Sequence, residues 1–287
     1  MSGAFKAACV QLTAGREIAP NIAAASALIR QARAAGAEFV LTPENTAMIE
    51  PKRALLLEKA KPEADHPAIP AFAELAAEHG IWLLIGSLQI KLDEASCANR
   101  SLLFDPAGRI AARYDKIHMF DVDLAGGESY RESKNFRAGA TAVVADLPWG
   151  RLGLSVCYDL RFAQLYRALA QAGADFLSVP SAFTVPTGRA HWETLLRARA
   201  IETGCYVLAP AQCGEHAEGR RTHGHSLIVA PWGEILAEAG EQPGIIQAEI
   251  DPAKVAEARR MVPALGHDRR FAGPVPPTIA PIRAAGE

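Results

Sequence analysis

Long hydrophobic runs are missing from this sequence: no apolar stretch approaches the roughly 20 residues that span a bilayer. The opening Met1-Ser2-Gly3-Ala4-Phe5-Lys6 also lacks the charged-then-apolar order of a secretory leader. A cysteine framework is missing too. The five cysteines, Cys9, Cys97, Cys157, Cys205 and Cys213, are odd in number, scattered and never spaced C-x-x-C, which argues against disulfides and against a zinc site. Free thiols in a reducing compartment fit, so the expected location is cytoplasmic. Excess charge of one sign is absent. With 30 Lys and Arg against 32 Asp and Glu, bulk electrostatics would hold neither nucleic acid nor an anionic membrane. There is no internal repeat, linker or low-complexity block, and no glycine-rich phosphate loop follows the first strand. These absences leave a small molecule or a protein as the expected partner. They also favour one large core, since 49% of the 287 residues are apolar.

What is there alternates between strand and helix patterns. Strands are expected at 5–12, 38–44 and 81–86, with helices from about Asn21 to the stop at Gly36 and over 68–79 before Gly80. Glycine directly after each expected helix (Gly36, Gly80, Gly173, Gly204) is the left-handed cap signature. Two short strands, 101–104 and 109–114, flank the turn Asp105-Pro106-Ala107-Gly108, and a long loop is expected over 117–139. Then come strands 142–146 and 152–156, helix 161–172, strand 175–179, loop 180–188, helix 190–203 and strand 205–209. The last third reads as strands 226–230, 234–237 and 245–250 and a short helix after Asp251-Pro252. The β-α-β order makes the fold class α/β. The expected division is a single domain over 1–272 and a proline-rich tail, 273–287, lying on the surface or on another subunit.

One stretch stands out: Gly153-Leu154-Ser155-Val156-Cys157-Tyr158-Asp159-Leu160-Arg161-Phe162. Leu152, Leu154 and Val156 alternate as in a strand, while Phe162, Leu165, Tyr166 and Leu169 recur at helical spacing, so Cys157 falls at a strand-to-helix turn. Ligands bind at the carboxyl ends of strands in open α/β sheets, and a helix N-terminus lowers a thiol's pKa. The position alone favours a thiolate. The competing reading is a small, inert core cysteine. Two further residues stand at strand ends, Glu44 in Thr42-Pro43-Glu44-Asn45 and Lys116 in Tyr114-Asp115-Lys116-Ile117-His118. Taken singly, each is an ordinary surface residue. Together with Cys157 they supply a base, a cation for a tetrahedral oxyanion and a nucleophile, and the backbone N–H of Tyr158 is a second oxyanion donor.

On these residues the sequence resembles the nitrilase, or carbon-nitrogen hydrolase, superfamily over residues 5 to about 272. Several stretches are similar to the branch that contains the deaminated-glutathione amidases and ω-amidases. They are Lys116 to Val122, Arg131-Glu132-Ser133, Cys157 to Phe162, Thr187 to Glu193 and Gly224-His225-Ser226. The segments 195–202 and 205–214 lean towards the former. The resemblance implies a four-layer α-β-β-α sandwich of two mixed sheets with helices outside. It also implies a Glu44-Lys116-Cys157 triad, an additional active-site glutamate at Glu132 that positions the amide, and a homo-oligomer, a dimer or larger. Ala230 before Pro231-Trp232-Gly233, and the loose Leu124-Ala125-Gly126-Gly127, depart from the family pattern.

The expected function is thus a thiol amidase without metal or other cofactor. It would cleave the primary amide of a small carboxylated substrate with release of ammonia, deaminated glutathione foremost. An ω-amidase on 2-oxoglutaramate-like acids, an N-carbamoyl amino acid hydrolase and a non-catalytic small-molecule binding module are the alternatives. Arg161 is the expected partner of the substrate carboxylate, unless it pairs with Asp159 or Glu193 to hold the turn. Phe183 and Thr184 are expected pocket walls. His223 and His225 are too few ligands for a metal site, and His118 or His191 would be needed for a thiol-protease pairing with Cys157.

Overall fold

The computed structural model describes residues 3–124 and 127–273. Two six-stranded mixed sheets dominate it. In spatial order the first runs Gly244–Ile250, Phe5–Gln11, Phe39–Leu41, Trp82–Lys91, Cys97–Phe104, Ile110–Asp115. The second runs Ile235–Glu238, Leu227–Val229, Tyr206–Ala209, Phe176–Ser178, Gly150–Leu154, Val144–Leu147. Each has three parallel strands at its centre and antiparallel strands at its flanks.

Strand alternation decides which residues fill which layer. Phe5, Ala7, Cys9, Phe39 and Leu41 point to the second sheet, where Phe5 meets Phe176 edge-on at 5.4 Å. Their neighbours Ala8, Val10 and Val40 point the other way, to Ala25, Ile29 and Ala32 of helix Ile18–Ala34 and Phe72 and Leu75 of helix Ala68–His79. Helices Ala163–Gln171 and Val185–Thr203 cover the outer face of the second sheet, Leu169 lying close enough to Gly153 that a methyl group there would meet it at 3.1 Å. The architecture is the expected α-β-β-α sandwich.

Several elements differ from the sequence expectation. The long loop over 117–139 contains a small hairpin, Asp121–Asp123 with Ser129–Arg131, and a 3-10 turn, Glu132–Lys134. These segments are too short for a period to register. Helix Arg53–Lys59 was not expected, because it buries only Leu56 and so has no apolar stripe. Helix Val185–Thr203 starts five residues earlier than the expected 190. Pro186 is tolerated in the first turn, where its missing N–H has no acceptor, and Gly188 fits because a Cβ there would sit 2.2 Å from His223 Cγ. Gly36, Gly80, Gly173 and Gly204 all adopt positive φ, as the cap reading expects. Of the tail, only Gly273 lies among the described residues.

The buried titratable groups set a pH window for stability. Burial pushes the imidazoles of His66 and His223 down to about 4 from the ordinary 6.5, so below pH 6.5 the unfolded chain takes up protons the fold refuses. Burial pushes the thiols of Cys9 and Cys97 up, the latter to about 11 from 9.0, so above pH 9.0 the unfolded chain loses protons the fold retains. Stability should therefore fall on both sides of a plateau between pH 6.5 and 9.0. Thermal unfolding midpoints across pH 4–11 check this, and an unfolding midpoint that keeps rising above pH 9.0 would contradict it.

Candidate active site

The site lies at one end of the sandwich, where both sheets contribute. Glu44 follows strand Phe39–Leu41, and Lys116 follows strand Ile110–Asp115, both of the first sheet. Cys157 follows strand Gly150–Leu154 of the second. Gly86 lets the two sheets close up at this end. A Cβ there would lie 2.1 Å from the Thr42 carbonyl oxygen, beside Glu44, and 2.4 Å from Pro180 Cβ, and the Pro180 carbonyl accepts the Cys157 N–H at 2.9 Å.

Cys157 opens a short 3-10 helix, Cys157–Arg161, with φ of 51°, a conformation a residue with a Cβ adopts only when its surroundings enforce it. Asp159 provides that enforcement. Fully buried, it accepts from Val156 N–H at 2.9 Å, from Tyr114 Oη at 2.6 Å and from His118 N–H at 3.0 Å, and His118 Nδ1 lies 2.7 Å from it. Arg199, also buried, supports the far side of the turn by donating to the Leu160 carbonyl at 3.0 Å. Tyr158 stands in the first turn, where its N–H has no intrahelical acceptor.

Charge around Cys157 is organised by Lys116. Its ammonium donates to Glu44 Oε1 at 2.9 Å and to both oxygens of Glu132 at 2.9 and 2.8 Å. Asn99 bridges the same two carboxylates from its Nδ2, at 2.9 Å to Glu44 and 3.2 Å to Glu132, and the Phe120 N–H holds Glu132 at 2.6 Å. Burial alone would push the Glu44 carboxyl up, but the Lys116 charge, its hydrogen bond and the Cys157 thiol hold it below the ordinary range. Burial likewise opposes the Lys116 charge, and Glu132 and Glu44 together outweigh it, so the ammonium persists.

The thiol goes the opposite way from the sequence expectation. Burial and the neighbouring Glu44 charge push it well above its ordinary value, and the lowering effects of Lys116 and of a backbone hydrogen bond from Ala182 do not compensate. The resting pair is therefore a neutral thiol beside an ionised carboxylate, not a thiolate. A helix N-terminus favours an anion only to the extent that burial does not oppose it. Glu44 is placed to take the proton as the sulfur attacks. The expected consequence is that the thiolate absorbance in the ultraviolet is absent at neutral pH and is not gained on titration to pH 9; a full thiolate band at pH 7 would refute the assignment.

A cavity of about 850 Å³ opens over these groups. Glu44, Lys116, Glu132, Cys157, Tyr158, Phe183 and Thr184 all line it, so seven of the eight residues expected from the sequence come together. Arg161 does not. Its guanidinium lies behind the cavity wall, 5.7 Å from the Tyr158 ring centroid and 5.5 Å from that of Phe183, with Nη1 3.2 Å from His191 Nδ1. Neither pairing considered for it occurs, since Asp159 is filled as above and Glu193 binds Arg197. The cavity's cations are instead Arg53, Arg131, Lys134, Arg220 and Arg221, besides Lys116.

Asn99, Arg199 and Arg220 were not foreseen. Asn99 leaves a faint signal, an amide directly after the apolar Cys97-Ala98 that open strand Cys97–Phe104. The histidine alternatives fall away on geometry: His118 is held by Asp159 and stacks on Phe162 at 3.5 Å, His191 contacts Arg161, and neither lines the cavity. His223 and His225 stack on each other at 4.4 Å, and among the described residues no three His, Cys, Asp or Glu side chains are grouped to hold a metal.

The sequence matches the family "Carbon-nitrogen hydrolase" over residues 6–260. Deaminated glutathione amidase of Yersinia enterocolitica is 42% identical over 272 residues, 94% of each chain. Among solved structures, the C. elegans NitFhit protein superposes with a TM-score of 0.87 at 40% identity, over 93% of this chain and 66% of that one. Saccharomyces cerevisiae Nit3, a member of branch 10 of the nitrilase superfamily, superposes at 0.84 with 29% identity, over 94% and 98%. The sandwich, the elements that carry Glu44, Lys116 and Cys157 to one end of it, and a match spanning all three place the chain in one group: it belongs to the carbon-nitrogen hydrolase family.

Proposed function

We propose that the protein is a thiol-dependent amidase that works through a Cys157 acyl-enzyme on a small carboxylated amide, deaminated glutathione foremost. The observation that carries this is the buried Glu44-Lys116-Cys157 arrangement opening into the cavity. Glu44 removes the thiol proton as sulfur attacks the amide carbon, and returns it to the departing nitrogen. Lys116 and the Tyr158 N–H hold the tetrahedral oxyanion. A water, deprotonated by Glu44, then releases the acid. Glu132, fixed by Lys116, Asn99 and the Phe120 N–H, orients the amide. Base, cation and nucleophile are all side chains, so this chemistry needs no metal or cofactor.

The substrate follows from the relatives named for deaminated glutathione and from cavity size. About 850 Å³ lies in the upper range of clefts for drug-sized ligands and exceeds what a five-carbon acid amide requires. Deaminated glutathione contains only secondary amides, so its hydrolysis releases an amine. The ammonia expected from the sequence applies to the second reading, ω-amidase activity on 2-oxoglutaramate. The discriminating experiment measures amine and ammonia release side by side from deaminated glutathione, 2-oxoglutaramate, an N-carbamoyl amino acid and a simple nitrile. Fastest turnover is expected with deaminated glutathione. Binding without turnover of any of them would favour the non-catalytic module.

The reading extends to a homo-oligomeric protein of the cytoplasm with one catalytic domain. Ile201, Trp232, Met261 and Val262 are each more than half exposed beside one another's elements, an apolar surface that association would cover. No helix among the described residues is long and apolar enough to cross a membrane.

A further inference from the structure

We propose that Arg220 is the cation that reads the substrate's carboxylate, and thus the residue that sets selectivity for acid-bearing amides. The proposal rests on the amidase reading and deepens it. Arg220 follows the 3-10 turn Ala217–Gly219 and precedes strand Arg221–His223, on a hairpin that folds over the cavity mouth. Three observations single it out among the cavity's arginines.

The first is an unmet donor. Arg220 Nε is buried and has no hydrogen-bond partner among the described residues, and Nη2 reaches only the Ala182 carbonyl, at 3.4 Å. A buried guanidinium donor left unpaired is costly and is normally satisfied. Its neighbours are already committed. Arg131 grips Asp123 with two bonds of 2.8 Å, and Arg53 donates to the Ala95 carbonyl at 2.9 Å and to Asn135. Arg221 is exposed at the rim, where solvent screens its charge.

The second is position. The Ala182 carbonyl accepts from Arg220, and Ala182, Cys157 and Arg220 line the same cavity, so the guanidinium and the nucleophile face one enclosed space. Arg220 also lies close enough to Glu44 to help hold that carboxylate ionised. An anion bound here would place its amide within reach of the sulfur.

The third is preorganisation. The guanidinium sits 6.0 Å from the centroid of the Tyr130 ring, which limits its rotation, and Glu218, the nearest acid in the chain, is taken by Arg16 and by Lys52 at 3.2 Å. The charge is thus held in place without being neutralised. A guanidinium with free Nε and Nη donors is the group that grips a carboxylate in two-pronged fashion.

The test compares glutaramate, a carboxylated amide, with pentanamide, its neutral counterpart of the same length. For Arg220→Ala, the ratio of kcat/KM for glutaramate over pentanamide should fall about tenfold to a hundredfold, mainly through KM, with Arg220→Lys recovering part of the loss. The ratio removes any effect on Glu44, which both substrates share. An unchanged ratio, or a selective loss in Arg161→Ala instead, overturns the proposal. A separate arm needs no turnover: calorimetric affinity for 2-oxoglutarate in a Cys157→Ala background should weaken tenfold or more when Arg220→Ala is added. Equal affinity overturns the proposal. If deaminated glutathione, glutaramate and pentanamide all go unhydrolysed by the unaltered protein yet Arg220 still governs 2-oxoglutarate binding, the amidase reading fails and the Arg220 assignment stands.

Discussion

Cys157→Ala should remove turnover altogether, a loss on the order of 10⁴-fold to 10⁶-fold, in a protein that melts close to the parent temperature. The sulfur is the only protein atom in the proposed mechanism that forms a bond to the substrate carbon. His118 and His191 lie outside the cavity, no other cysteine among the described residues lines it, and its Thr184 and Thr187 hydroxyls are paired with each other while Ser129 donates to Asp123. Loss of one small side chain from a site already open to a cavity leaves no closed void, so stability should change little. Cys157→Ser should lose nearly as much activity, since Glu44, with its carboxyl held below the ordinary range, is too weak a base for an alcohol. Retained hydrolysis in the alanine variant would end the acyl-enzyme reading.

The second large effect separates Glu44 from Lys116, which touch each other but should fail differently. Glu44→Gln removes the base and should cost on the order of 10² to 10⁴ in kcat, with KM little changed. Its fold should survive, because Lys116 keeps both hydrogen bonds to Glu132 and the amide can still accept from Lys116 and Asn99. Lys116→Met should lose activity and stability together. It leaves two neighbouring carboxylates in a buried site with only Asn99 between them, and uncompensated buried charge of this kind costs about 3–5 kcal/mol. In a chain of this size that is a fall in melting temperature on the order of 10 °C. The comparison is made by calorimetry on both variants beside their kinetics. Equal melting temperatures would mean that Lys116 is not what makes this pair of buried acids tolerable.

What could be read from the sequence tracks how local the deciding physics is. Strand alternation and helix spacing placed both sheets' central strands and the capping glycines, because each is settled within a dozen residues. Cys157, Glu44 and Lys116 could be found because each ends a strand, and the family resemblance joined them. The protonation state of Cys157 could not be found that way. It depends on burial against Glu44, a residue 113 positions earlier in the chain and on the other sheet. Arg161 misled for a related reason: its place four residues after the nucleophile suggested the pocket, but the turn enforced by Asp159 sends it behind Tyr158 and Phe183. Arg220 was invisible because its partners, Ala182 and Tyr130, lie far away in sequence and its segment has no period.

A covalent acyl intermediate on Cys157 can be trapped by rapid acid quenching during turnover of deaminated glutathione, followed by intact-protein and peptide mass measurement. A mass increase equal to the acyl portion of the substrate is expected, confined to the peptide that carries Cys157 and absent from Cys157→Ala. Steady turnover with no adduct on any peptide, or an adduct that persists when Cys157 is replaced, would contradict it.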